Sequence, residues 1–153
     1  MTTPPLLCPY DGSTVPLADV PDPVLAQGIL GGSVALEPER HPGVALAPVG
    51  GRVHTRHPHA LIIRPADAPA TLLHLGVDTV HLQGDGFRSL AEVGDVVAAG
   101  DPVVEWDPGF VIEHGLSPVV VVALLDTPPG ALAVRPGRYR AGDPLVVSEP
   151  GAS

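Results

Sequence analysis

At 153 residues the chain has the length of a single domain that can bury a sizeable core. Its formal net charge of −9 argues against nucleic acid or an anionic membrane as the main partner, and suits a basic protein partner or simple solubility. Cys8 stands alone, no apolar run has membrane-spanning length, and Met1-Thr2-Thr3-Pro4-Pro5 lacks the regions of a signal peptide, so a cytoplasmic protein without internal disulfides is expected.

Glycine and proline make up about a quarter of the chain, spread as punctuation between short Val, Leu and Ile runs. Aromatic residues are scarce, and all eight basic residues are arginines. This pattern predicts many short strands, tight turns and little helix: an all-β antiparallel sandwich or flattened barrel. Residues 1–5 and 148–153 are expected to fray, leaving one domain over 6–147.

In chain order, Cys8-Pro9-Tyr10-Asp11-Gly12 predicts a turn, followed by a strand through Val15 and Leu17. Asp22 is the expected N-cap of a helical turn over Val24–Gln27, with Pro23 as its first residue. Ile29–Ser33 is expected to be a flexible connection into a strand over Val34–Glu37. A strand through Val53 follows a turn at Gly50-Gly51. Leu61-Ile62-Ile63 is a β-prone run, residues 64–70 form a hairpin-like loop, and Leu72-Leu73-His74-Leu75 returns as the partner strand. Phe87–Glu92 is expected to be a helical turn, and Gly94–Val104 strand, turn, strand. Asp107 and Pro108 open a short helix that Gly115 stops. Pro118–Leu125 is a buried valine run, and the last strands surround Leu132 and Leu145. Ala99-Gly100-Asp101-Pro102-Val103-Val104 is echoed by Ala141-Gly142-Asp143-Pro144-Leu145-Val146, and Cys8–Gly12 by Ala47–Gly51, which suggests a duplicated unit.

Of seven histidines, His41, His81 and His114 lie in polar or loop settings and read as solvated, and His54 carries no assigned role. His57-Pro58-His59 has the look of a metal-binding pair. His59 and His74 are the stronger pair, because an antiparallel hairpin of 60–64 with 71–75 brings both to the same end. Facing imidazoles allow zinc ligation, which wants a further ligand such as Asp78, or a phosphohistidine, with the second ring hydrogen-bonding the phosphoryl oxygens. Gly76 would let backbone N–H groups approach such a group. By themselves, core histidines and solvated carboxylates explain these residues slightly better than a site does.

The ordered set of these segments resembles the glucose-type enzyme IIA family of the bacterial phosphoenolpyruvate-dependent sugar phosphotransferase system. The segments are Cys8–Gly12, Asp19–Leu25, Ala47–Gly51, His59-Ala60, His74–Val80, Gly84–Phe87, Val93–Asp95 and Ser117–Val120. The resemblance implies a β-sandwich with short helical turns. It implies that His74 accepts a phosphoryl group from the phosphocarrier HPr and passes it to a cysteine of a permease IIB domain, and that His59 supports the group. Asp22 and Asp78 would flank the site toward a basic docking surface, with Val24, Leu25 and Leu72 as the apolar face around the histidines. No cofactor is required, though the two histidines can also ligate zinc with a partner's carboxylate. Departures from the family pattern include His57, which stands where a hydroxyl residue often bonds the supporting histidine.

Two other readings remain at this stage: a zinc hydrolase using His59, His74 and Asp78, and a regulator that binds transporters or kinases according to its phosphorylation state. A biotinyl or lipoyl carrier, suggested by the hairpin over Val93–Val104, fails because it needs a lysine.

Overall fold

The computed structural model describes residues 6–147; the expected frayed ends, 1–5 and 148–153, lie outside the described residues. Eleven strands form two antiparallel sheets: β1 (Gly12–Val15), β2 (Gly31–Pro38), β3 (Gly43–Leu46), β4 (Gly51–His57), β5 (Ala60–Arg64), β6 (Thr71–Leu75), β7 (Phe87–Ser89), β8 (Val96–Val97), β9 (Pro102–Trp106), β10 (Val120–Leu125) and β11 (Arg138–Tyr139). The large sheet has the order β11-β1-β2-β10-β6-β5-β4-β8 and the small one β3-β9-β7. Neither closes on itself, so the architecture is a sandwich and not a barrel. Among the described residues no helix is long and apolar enough to cross a membrane.

Alternation along the strands decides which side chains meet inside. The register places Leu61, Leu73, Val122 and Val34 side by side across the large sheet, all buried, and they pack in one core with Ala45, Val103, Val104 and Trp106 of the small sheet. The opposite face carries the row His57, Ala60, His74, Val121, Ala35 and Val15. Its Val121–Ala35 end is covered by a second apolar cluster with Val20 and Leu25, and its His57–His74 end is left open. One histidine therefore sits mid-sheet on an outward position of a strand whose other face is core.

Two short helices begin as the sequence predicts. Asp22 Oδ1 accepts from the N–H of Val24 (2.9 Å) and of Leu25 (3.2 Å) at the head of α1 (Pro23–Ala26). Asp107 caps α2 (Pro108–Glu113), and Gly115 follows it at φ 76°. Four expectations are corrected. Leu17 lies in a 3-10 turn (Leu17–Asp19), because Pro16 interrupts the strand. Gly31 and Gly32 are the first residues of β2 and no flexible connection: a Cβ on Gly31 would meet the Leu124 carbonyl oxygen at 1.8 Å. Phe87–Ser89 is a strand because Phe87 pairs with and stacks on buried Trp106, ring centroids 5.9 Å apart. Leu132 and Leu145 are buried, but the strand near them is only Arg138–Tyr139.

The repeated glycine-aspartate turns are real and occur three times. Asp95, Asp101 and Asp143 each accept, through Oδ2, the N–H three residues earlier (2.9, 2.8 and 3.1 Å), and Gly94, Gly100 and Gly142 precede them at positive φ. Each turn clamps one distant residue by two backbone bonds: Val53 with Gly94 and Asp95, Ala47 with Gly100 and Asp101, Cys8 with Gly142 and Asp143.

Candidate functional site

The β5–β6 hairpin forms in the expected register, with Ala60 opposite His74. His59 immediately precedes β5, and its carbonyl accepts the Leu75 N–H at 2.8 Å, which fixes it beside the end of β6. The imidazoles of His59 and His74 meet edge to face, centroids 5.1 Å apart at 75°. His57 adds a third ring, stacked at 5.8 Å and 29° on His59.

His74 is oriented by its own turn. Its Nδ1 lies 2.7 Å from the Gly76 carbonyl oxygen, so Nδ1–H donates and Nε2 keeps the lone pair. Gly76 adopts φ 80°, and the Thr79 hydroxyl donates to the Leu75 carbonyl at 2.8 Å, closing the turn. Two of the backbone N–H groups at this turn are not free for a phosphoryl group. The amides of Gly76 and Val77 are already spent on the carbonyls of Val119 and Ser117, both at 2.9 Å. Gly76 serves the site through its oxygen.

Burial pushes His59 down to about 4, with the neighbouring His74 and His57 rings adding to the shift. His74 also lies below the ordinary imidazole value: burial outweighs the opposing pull of the Gly76 carbonyl and of the Asp22 and Asp78 charges. Both rings are neutral near pH 7. Because folding lowers the His59 value from about 6.5, the unfolded chain binds more protons between pH 6.5 and 4. Stability contributed by the neutral ring is thus complete above 6.5 and lost as pH falls toward 4. His59→Asn is expected to flatten the decline of the urea midpoint between pH 6.5 and 4; an unchanged slope would show that His59 does not titrate in that window.

Around the rings, Asp22 is half-buried at the helix head and Asp78 is exposed in the left-handed region at φ 59°. Both charges act on His74. Of the apolar residues expected on the rim, Val24 is 45 % exposed, but Leu25 and Leu72 are buried beneath the face, in the clusters of Val121 and of Ala60 and Ala123. The sequence reading missed Val80, 58 % exposed in the 3-10 turn (Thr79–Leu82) after Asp78. Its place two residues past a carboxylate on a glycine turn was the available signal. His59, His74 and Asp78 do not converge as metal donors. Among the described residues, only Asp11, Glu39 and His41 bring three such atoms within 4.8 Å of one another.

The open sandwich face carries paired neutral imidazoles, one with a locked tautomer, an arrangement whose free ring nitrogen can chemically accept a transferred group. Residues 5–128 match the family described as phosphoenolpyruvate-dependent sugar phosphotransferase system, EIIA 1. The chain is 34 % identical over 124 residues to the PTS system glucose-specific EIIA component of Oceanobacillus iheyensis, covering 80 % of this chain and 74 % of that one. It is 40 % identical over 116 residues to the glucose-specific EIIBCA component of Corynebacterium glutamicum, covering 74 % of this chain but 17 % of that longer protein. In structure it matches glucose permease IIA from Mycoplasma capricolum with a TM-score of 0.86 and 31 % identity, over 96 % of each chain. The chain belongs to the EIIA family of the sugar phosphotransferase system.

Proposed function

We propose that His74 takes a phosphoryl group on Nε2 from the phosphocarrier HPr and hands it to a cysteine of a permease IIB domain. The observation that carries this reading is the 2.7 Å bond from His74 Nδ1 to the Gly76 carbonyl. It leaves the Nε2 lone pair on the ring that His59 faces. In the loading step the bond from phosphorus to the donor atom of HPr breaks and the Nε2–P bond forms. Nδ1–H stays in place, so the phosphorylated ring is imidazolium-like. That cation is a good leaving group, and the Gly76 oxygen steadies its proton. In the second step the N–P bond breaks, a P–S bond forms on the acceptor thiolate, and neutral His74 is restored.

His59 begins neutral. The incoming phosphoryl charge favours its protonated form or its N–H donor tautomer, so it can bond the phosphoryl oxygens. Asp22 and Asp78 set negative charge around the rings, and Val24 and Val80 supply exposed apolar contact. This rim fits a basic docking surface, whose approach the net charge of −9 would accelerate. Work in the cytoplasm follows from these partners. The same Nε2 lone pair fits a zinc ion shared with His59 and a partner's carboxylate; such an ion would bridge two proteins, and no transfer step depends on it.

Incubation with phosphoenolpyruvate, enzyme I and HPr is expected to give one acid-labile, base-stable phosphoryl adduct per chain, mapped to His74 at Nε2. An adduct mapped to another residue would overturn the assignment.

A further inference from the structure

Away from these histidines, the far edge of the large sheet brings together three donors that the proposed phosphotransfer does not use. Asp11 precedes β1, and Glu39 and His41 follow β2. His41 Nε2 lies 3.4 Å from Glu39 Oε2 and 3.7 Å from Asp11 Oδ2. Ligands of a tetrahedral zinc ion at about 2.0–2.2 Å are about 3.4 Å from one another, so this spacing accepts such an ion with small adjustments.

The other atom of each group is already held. Asp11 Oδ1 accepts the Ala141 N–H at 2.8 Å, Glu39 Oε1 accepts from the Arg138 guanidinium, and His41 Nδ1 lies 3.2 Å from the Pro42 carbonyl. The Tyr10 hydroxyl donates to the His41 carbonyl. Metal ligands are oriented by bonds of this kind. Nδ1 toward Pro42 leaves Nε2 between two carboxylate oxygens, where a bound cation would take the place of the ring's Nε2 proton. All three side chains are partly open to solvent, at 49, 38 and 34 % exposure for His41, Asp11 and Glu39, which leaves room for water as a fourth ligand.

We infer that Asp11, Glu39 and His41 form a binding site for a divalent transition cation of the zinc class. One imidazole with two carboxylates suits zinc, cobalt and copper, and excludes the purely oxygen-liganded calcium and magnesium as best occupants. The ion would tie the start of β1 to the end of β2, while Arg138 of β11 holds the other oxygen of Glu39.

Trp106, the chain's one tryptophan, reports on the site through Tyr10: its ring is 5.4 Å from Tyr10, whose ring is 5.6 Å from His41. Copper(II) titrated into the chelator-stripped full chain is expected to quench Trp106 saturably, with excess zinc reversing the quench. The response should persist in His59→Ala/His74→Ala, which removes the other imidazole pair. It should weaken at least tenfold when His41→Ala, or the milder Glu39→Gln, is added to that double variant, each checked for unchanged circular dichroism. Zinc should raise the melting temperature of the double variant and not of the same variant carrying His41→Ala. Equal quenching in the double variant with and without these changes, or no zinc-dependent stabilisation of it, would overturn the site. Phosphoryl loading of His74 in His41→Ala is expected to be unaffected, so the two proposals fail separately.

Discussion

His74→Ala is expected to yield no acid-labile phosphoryl adduct, whereas His59→Ala is expected still to form one and to pass it on about 100-fold more slowly. The difference follows from what each ring does. In the proposed transfer His74 supplies the only atom that bonds phosphorus, so no neighbour compensates for its loss. Its Nε2 is presented by the Gly76 carbonyl, which remains when His59 is removed. In the transfer step negative charge spreads over the three phosphoryl oxygens, and the N–H donor of His59, one ring away at 5.1 Å, is the group placed to meet it. Rapid-quench measurement of transfer to an isolated IIB domain checks this. A His59→Ala chain that transfers at the natural rate would remove the supporting role. His57, stacked on His59, is the residue to vary next if the deficit is much smaller than 100-fold.

Gly76→Ala is expected to lower stability by about 3 kcal/mol and to slow phosphoryl loading as well. Two costs combine. At φ 80° a side chain loses about 1–2 kcal/mol from backbone conformation alone. A Cβ there would also lie 2.5 Å from Thr79 Cγ2 and 3.0 Å from the Ser117 oxygen, and crowding a packed site adds about 1–3 kcal/mol. Gly115 makes the internal comparison, with φ 76° and nothing within 4 Å of an added Cβ. Gly115→Ala should therefore cost only the conformational part, about 1–2 kcal/mol. Displacing the turn at Gly76 also moves the carbonyl that fixes the His74 tautomer, which couples the stability loss to the chemistry. Urea unfolding of the two variants decides between the terms: equal losses would mean that the crowding at Gly76 relaxes without cost.

Where local chemistry alone sets the backbone, the sequence was readable. Asp22-Pro23 and Asp107-Pro108 start helices as expected, and the alternation of Leu72, Leu73, His74 and Leu75 against Ala60–Arg64 pairs the two histidines. It was less readable where distant contacts decide. Phe87–Glu92 has the local composition of a helical turn, yet Trp106 draws Phe87 into a strand. Gly31-Gly32 looks like a hinge, but the glycines are there because the Leu124 carbonyl and the Leu132 amide crowd the backbone. The apolar rim divides in the same way. Val24 and Leu25 are neighbours in sequence, and only their positions on one helical turn leave Val24 exposed and Leu25 buried. That two amides beside Gly76 are already engaged depends on Ser117 and Val119, forty residues along the chain.

The clamp between Cys8 and the Gly142-Asp143 turn, with the Leu145 N–H donating to the Leu6 carbonyl, fixes where the described chain starts and stops. The first and last described segments leave the molecule side by side, next to β1 and β11. Four strand spacings, about 19 Å, separate β11 from β6 and its histidine. The two ends of the described chain therefore share one edge of the sheet, remote from the face that carries His74.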